Sequence, residues 1–165
     1  MENIKNREQF NEFTAGARYA PARTGSRLEE IHMKAKILIG RIGLDGHDRG
    51  LRAVAKALTE ADFDVIYSGL YRNSDEFVNR VIEEKIDAVG ISCLTGAHNV
   101  VFRKVIDLMN EKGIGNIPVF GGGTIPEEDV EGLKKIGVRE VFLPGATLEE
   151  IVDFVKGLVR GKEDI

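Results

Sequence analysis

The stretch that decides the fold runs from residue 35 to residue 67, AKILIGRIGLDGHDRGLRAVAKALTEADFDVIY. It opens on Ile37-Leu38-Ile39, a short apolar run without polar alternation, as expected of a strand covered on both faces. A glycine-rich segment comes next. Leu51, Val54, Ala55 and Leu58 then recur at helical spacing, and Val65-Ile66-Tyr67 starts a second β-rich run. A strand, a helix and another strand in this order make a crossover unit, the connection that parallel strands require.

The same alternation continues outward from that unit. Further strands are predicted at Val89-Gly90-Ile91, Val119-Phe120 and Glu140-Val141-Phe142-Leu143. Helical spacing recurs through Phe77, Val78, Val81 and Ile82, and through Val101, Val105, Leu108 and Met109. It appears again in Val130, Leu133 and Ile136, and in Ile151, Val152, Val155 and Leu158. Five strand–helix units in strict alternation imply a doubly wound, flavodoxin-like (Rossmann-like) α/β fold with a five-stranded parallel sheet. The domain is expected over residues 35–160. A polar tail is expected at 161–165, and an arm at 1–34 carries Phe10, Phe13 and Tyr19 without a sustained period. Two readings of that arm stay open, a frayed terminus or a segment laid on a partner.

Composition narrows the functional classes. Of 165 residues, 42% are apolar, and 23 basic residues are scattered among 27 acidic ones for a net charge of -4. No basic stripe emerges, so neither nucleic acid nor an anionic membrane is expected as a partner. Apolar runs are strand-sized, far below the roughly 20 residues of a membrane span. The polar start lacks the apolar stretch of a signal peptide, and Cys93 is the one cysteine; a cytoplasmic location is the expectation.

In such a sheet a ligand sits beyond the carboxyl ends of the strands, at the switch point between strands one and three. The segments after the strands are Gly40–Gly50, Ser92–Gly96, Gly121–Pro126 and Pro144–Thr147, all rich in Gly, Ser and Thr. The opposite-end turns are plain charged connectors, so one end is built for close backbone approach. Glycines at 40, 43, 46 and 50 miss the dinucleotide spacing Gly-x-Gly-x-x-Gly, and no P-loop is present. Ser92 and Pro144 stand where a phospho-accepting receiver would need Asp and Lys. What remains unusual is His47, flanked by Asp45 and Asp48. Imidazole is a common metal ligand whose second nitrogen is usually held by a carboxylate, which either aspartate could supply; Asp48 could instead cap the helix after it. His98 lies after strand three and His32 in the arm, so a zinc site of three or four ligands is not expected. One axial histidine suits a metal whose other ligands come from a macrocycle.

The ordered set Asp45-x-His47-x-x-Gly50, Ser92-x-Leu94 and Gly121-Gly122 resembles the cobalamin-binding domains of the methylmalonyl-CoA mutase family. The stretches Gly43–Gly50, Gly122–Pro126 and Pro144-Gly145 are similar to its acyl-CoA mutase branch, and the resemblance covers about Lys34 to Val159. It implies His47 as the lower ligand of cobalt, Asp45 as its hydrogen-bond partner, and a slot for the cofactor's nucleotide tail lined by Ser92, Leu94, Gly121 and Gly122. The wider cofactor set read on this basis adds Gly46, Asp48, Arg49, Gly50, Thr95, Gly123, Pro144, Gly145 and Thr147. Two positions depart from the pattern. Arg41 stands where relatives carry Lys, and Ala146 where they carry Thr.

The function so implied is an isomerase: the small subunit of an adenosylcobalamin-dependent acyl-CoA mutase, inactive without a large barrel subunit that binds the substrate. Methylmalonyl-CoA is the default substrate, with isobutyryl- or 2-hydroxyisobutyryl-CoA as alternatives. A corrinoid carrier for methyl transfer or a cobalamin sensor is the rival reading, although such carriers place a helical bundle before the fold. A flavodoxin-like regulatory domain, with His47 incidental, is a third.

Overall fold

In a computed structural model, residues 34–43, 48–71 and 73–163 are described. Strands and helices alternate through them as β1 (Lys36–Ile42), α1 (Arg49–Glu60), β2 (Asp64–Tyr71), α2 (Ser74–Glu83) and β3 (Ala88–Cys93). They continue as α3 (His98–Glu111), β4 (Val119–Gly123), α4 (Glu127–Ile136), β5 (Val138–Phe142) and α5 (Leu148–Glu163). The five strands are parallel in the order β2-β1-β3-β4-β5, the expected doubly wound sheet. The expected arm lies outside the described residues, apart from Lys34. Of the expected polar tail, residues 161–163 continue α5, which ends at Glu163.

The unbroken apolar run of β1 reflects burial on both sides. Leu38 packs with Phe77, Phe102 and Val105 under α2 and α3, while Ile37 and Ile39 pack with Leu51, Leu58 and Val155 under α1 and α5. All three are fully buried. At roughly 1.5–3 kcal/mol per such side chain, the two faces together are the main stabilising term of the sheet.

Several strands run further than their apolar runs suggested. Gly40, Arg41 and Ile42 belong to β1, Ser92 and Cys93 to β3, and Gly121 to Gly123 to β4, all of them expected in loops. The parallel ladder carries them, pairing Arg41 with Ser92 and Cys93 with Gly123. Gly40 is a packing glycine, since a Cβ there would lie 2.9 Å from the Tyr71 ring and 3.0 Å from that of Phe77. At the far edge β5 starts earlier than expected, at Val138, and Leu143 falls beyond it.

Helix ends are set by local chemistry. Asn73 caps α2 by accepting from the Glu76 amide at 2.9 Å. Helix α4 starts on Glu127, Glu128 and Asp129, carries Lys134 and Lys135 in its last turn, and stops at Gly137 with φ 119°. Among the described residues no helix is long and apolar enough to cross a membrane.

Candidate functional site

Strand order reverses between β1 and β3, and there, on the face covered by α1 and α5, the described residues enclose a cleft of about 730 Å³. Its floor comes from the sheet, at Ile39, Gly90, Ser92, Phe120, Gly122 and Phe142. One wall is the first turns of α1, with Leu51 and Val54, and the other is the start of α5, with Leu148 and Ile151. Pro144, Gly145 and Ala146 form the rim. The cleft is mostly apolar, with Asp48, Arg49, Ser92 and Thr124 as its polar points.

The floor is closely packed. At Gly90 a Cβ would come within 2.5 Å of Ile39 Cδ1 and 2.7 Å of Phe120 Cζ, so these two side chains close over β3 only because position 90 has none. Gly122 would place a Cβ 2.9 Å from the Phe142 carbonyl oxygen. Gly123, at φ 129°, would place one 2.1 Å from the Cys93 carbonyl oxygen. Beneath lies an aromatic base of Phe120, Phe142 and Phe154, in edge-to-face contacts with centroids 5.5–6.4 Å apart.

Most residues singled out in the sequence meet at this cleft. Asp48, Arg49, Gly50, Ser92, Leu94, Gly121, Gly122, Gly123, Pro144 and Gly145 all line it. Asp45, Gly46 and His47 lie outside the described residues. Asp48 stands at the N-cap of α1 but makes no side-chain cap bond; its carboxylate instead accepts from Arg52 Nε at 2.7 Å. Arg41 is buried on β1 beside Ser92.

Three of these residues have other contacts. Gly121 lines the cleft through its backbone only, because its missing Cβ faces the opposite side, 2.2 Å from Phe102 Cζ. Thr95 is exposed in the bend after β3 and does not line the cleft. Thr147 does not line it either. Its hydroxyl accepts from the Glu150 amide at 3.2 Å while the Glu150 carboxylate accepts from the Thr147 amide at 2.7 Å, a capping box that starts α5. Gly90, Phe120 and Phe142 are floor residues that sequence reasoning missed. A glycine inside an otherwise apolar strand was the available signal for Gly90.

The described residues hold no cluster of three or more His, Cys, Asp or Glu able to bind a metal ion by themselves. Cys93 is buried against the opposite core and plays no part in the cleft.

The B12 binding domain family matches residues 35–152. The chain is 44% identical over 127 residues to the 2-hydroxyisobutanoyl-CoA mutase small subunit of Aquincola tertiaricarbonis, covering 77% of this chain and 93% of that subunit. It is 34% identical over 132 residues to the methylmalonyl-CoA mutase of Cereibacter sphaeroides, covering 80% of this chain but 19% of that longer enzyme. A cobalamin-binding protein from Desulfitobacterium hafniense DCB-2 shares the fold, with a TM-score of 0.66 at 21% identity over 76% of this chain and 59% of that one. By its sequence over residues 35–152 the chain belongs to the B12 binding domain family.

Proposed function

We propose that this chain is the cobalamin-binding small subunit of an adenosylcobalamin-dependent acyl-CoA mutase. One observation carries the reading. The residues of three separated motifs, Gly50, Ser92 with Leu94, and Gly121 with Gly122, converge on one cleft at the switch point. A cleft of about 730 Å³ suits a nucleotide-sized group, and its floor is closely packed at Gly90 and Gly122, where a side chain would clash with Ile39, Phe120 or the Phe142 carbonyl.

In this reading His47 would hold the cobalt through one ring nitrogen, and Asp45 would accept from the other, which fixes the tautomer. The chain neighbour of His47, Asp48, lines the cleft, with its carboxylate held by Arg52 at the first turn of α1, which supports the reading. Ser92, Leu94 and the glycines of β4 receive the cofactor's nucleotide tail. Arg41, buried beside Ser92, supplies the positive charge that relatives place on a lysine. Thr147 is committed to its helix cap, so it does not replace the hydroxyl missing at Ala146.

The bound cofactor supplies radical chemistry for rearranging the carbon skeleton of an acyl-CoA. This chain's own part is to bind it, orient it and shield it from water. The mutase is a two-subunit isomerase, with the thioester held by a large barrel subunit that also selects the acyl group. Its relative of matching length is itself a small subunit, which supports this division.

Reconstitution tests the proposal. The chain is titrated with adenosylcobalamin, mixed with a large acyl-CoA mutase subunit, and assayed with methylmalonyl-CoA and 2-hydroxyisobutyryl-CoA. Isomerisation that requires both chains and the cofactor is expected. Cofactor binding without isomerisation of any acyl-CoA by any large subunit would leave a carrier or sensor in its place.

A further inference from the structure

Beyond the ends of β3 and β4 the chain leaves the sheet in two segments, Leu94–Ala97 and Thr124–Pro126, before entering α3 and α4. Leu94 and Thr124, one on each segment, line the cleft. The ladder between the strands stops at Cys93 and Gly123, so the sheet itself does not fix the spacing of these two segments. One polar contact spans the gap just behind them. His98, the first residue of α3, places Nε2 2.7 Å from Oδ2 of Asp129 in the first turn of α4.

This contact differs from the surface ion pairs of the domain. The His98 side chain is 5% exposed, whereas Asp129 is 33% exposed. A carboxylate offers acceptors, so the imidazole donates through Nε2, and its orientation is thereby fixed. One turn further along α3, on the same face, Phe102 fills the notch left by the absent Cβ of Gly121. Helix α3 is thus keyed to the β4–α4 unit at two points, an aromatic ring against the strand and a charged hydrogen bond against the next helix. The ring sets the depth of α3 over the sheet. The hydrogen bond sets where the Leu94–Ala97 segment lies relative to Thr124.

We infer that His98 and Asp129 are positioning residues for the cofactor cleft, a brace holding its two inner segments at the separation the bound nucleotide tail requires. The inference rests on the proposed cobalamin site and adds to it two residues that touch neither cobalt nor cleft. Loss of the brace leaves the sheet and core intact and lets the segments move, so the free chain stays folded while the cleft loses its fixed width.

The test is cobalamin binding by the purified chain at 25 °C, read from the absorption change on displacement of the cofactor's own base, with thermal melting measured alongside. Asp129→Ala, which truncates a partly exposed side chain, and His98→Leu are each expected to weaken binding about tenfold, and their combination no more than either alone. His98→Gln, which retains a donor toward Asp129, is expected to restore binding to within about threefold. Should wild type bind while Asp129→Ala and His98→Leu bind equally well, with only their melting temperatures lowered, the pair is structural and the inference is overturned. Additive losses in the double variant would overturn it too. Failure of wild type itself to bind would remove the cobalamin reading, and this inference with it.

Discussion

Replacing Gly121 by alanine separates two accounts of the glycines in β4. One holds that Gly121 keeps a ligand slot open, and the other that it makes room for Phe102. An alanine Cβ at this position would lie 2.2 Å from Phe102 Cζ, 2.6 Å from Cε1 and 3.2 Å from the Ile91 carbonyl oxygen. Ordinary carbon contacts are about 3.5–4.0 Å, so the ring must retreat by more than about 1 Å. Phe102 is fully buried between α3 and the sheet, so any retreat displaces its core neighbours. Overpacking of this kind costs about 1–3 kcal/mol, or a fall in Tm of about 5–10 °C for a domain of this size. Phe102→Leu removes the clashing ring edge but leaves a void, so alone it also destabilises. Combined with Gly121→Ala it should recover about 1 kcal/mol or more relative to the sum of the two. Urea unfolding of the four proteins measures the cycle, and a cobalamin titration of each measures binding. The expected result is favourable coupling in stability, with cobalamin affinity changed less than about threefold in the double variant. Strict additivity in stability, or loss of binding at unchanged stability, would refute the packing account.

Other glycines and caps should separate in the same way. Gly123→Ala forces a Cβ to 2.1 Å from a backbone oxygen at φ 129°, where neither side can yield, so a loss above about 3 kcal/mol is expected in urea unfolding. Gly145→Ala has nothing within 4 Å and only its φ of 104° to strain it, so about 1–2 kcal/mol is expected; equal losses at the two positions would contradict the geometry. Thr147→Ala should cost about 1 kcal/mol through the lost cap of α5 and leave cobalamin binding unchanged, which the same titration checks. Burial pushes the Glu140 carboxyl up, but hydrogen bonds from Lys134 at 2.6 Å and from the Val141 amide outweigh it and hold it below its ordinary value of 4.5. A carboxyl lowered on folding contributes stability above its unfolded pKa, and that stability is lost as pH falls through the folded one. The acid limb of the pH–stability profile below about pH 4.5 should therefore be shallower in Glu140→Gln than in wild type.

The sheet was legible because burial on both faces leaves an unmistakable pattern, as at Ile37-Leu38-Ile39, and because each strand is followed by a helix-length period. Strand ends were not. Glycine reads as punctuation at Gly40 and at Gly121–Gly123, whereas each continues a parallel ladder, crowded by rings at Gly40 and Gly121 and by backbone oxygens at Gly122 and Gly123. Nothing local announces that Tyr71 and Phe77 will lean on Gly40, or Phe102 on Gly121. The capping-box pattern is present in Thr147-Leu148-Glu149-Glu150, and it competes with a ligand role for the threonine. His98 and Asp129 are 31 residues apart on different helices, a pairing that only the tertiary arrangement brings to hydrogen-bond distance. Ten of the residues singled out in the sequence line the cleft, while Asp45, Gly46 and His47 lie outside the described residues.

The central claim is that a histidine of this chain, His47, binds cobalt. The most direct measurement is the electron paramagnetic resonance spectrum of cob(II)alamin bound to the chain, with histidine carrying either natural nitrogen or nitrogen-15. If His47 is the lower ligand, each cobalt line is split in three by natural nitrogen and in two after labelling, and His47→Ala abolishes the labelled pattern. A three-line splitting that survives labelling would show the cofactor's own base still on cobalt and would contradict the account.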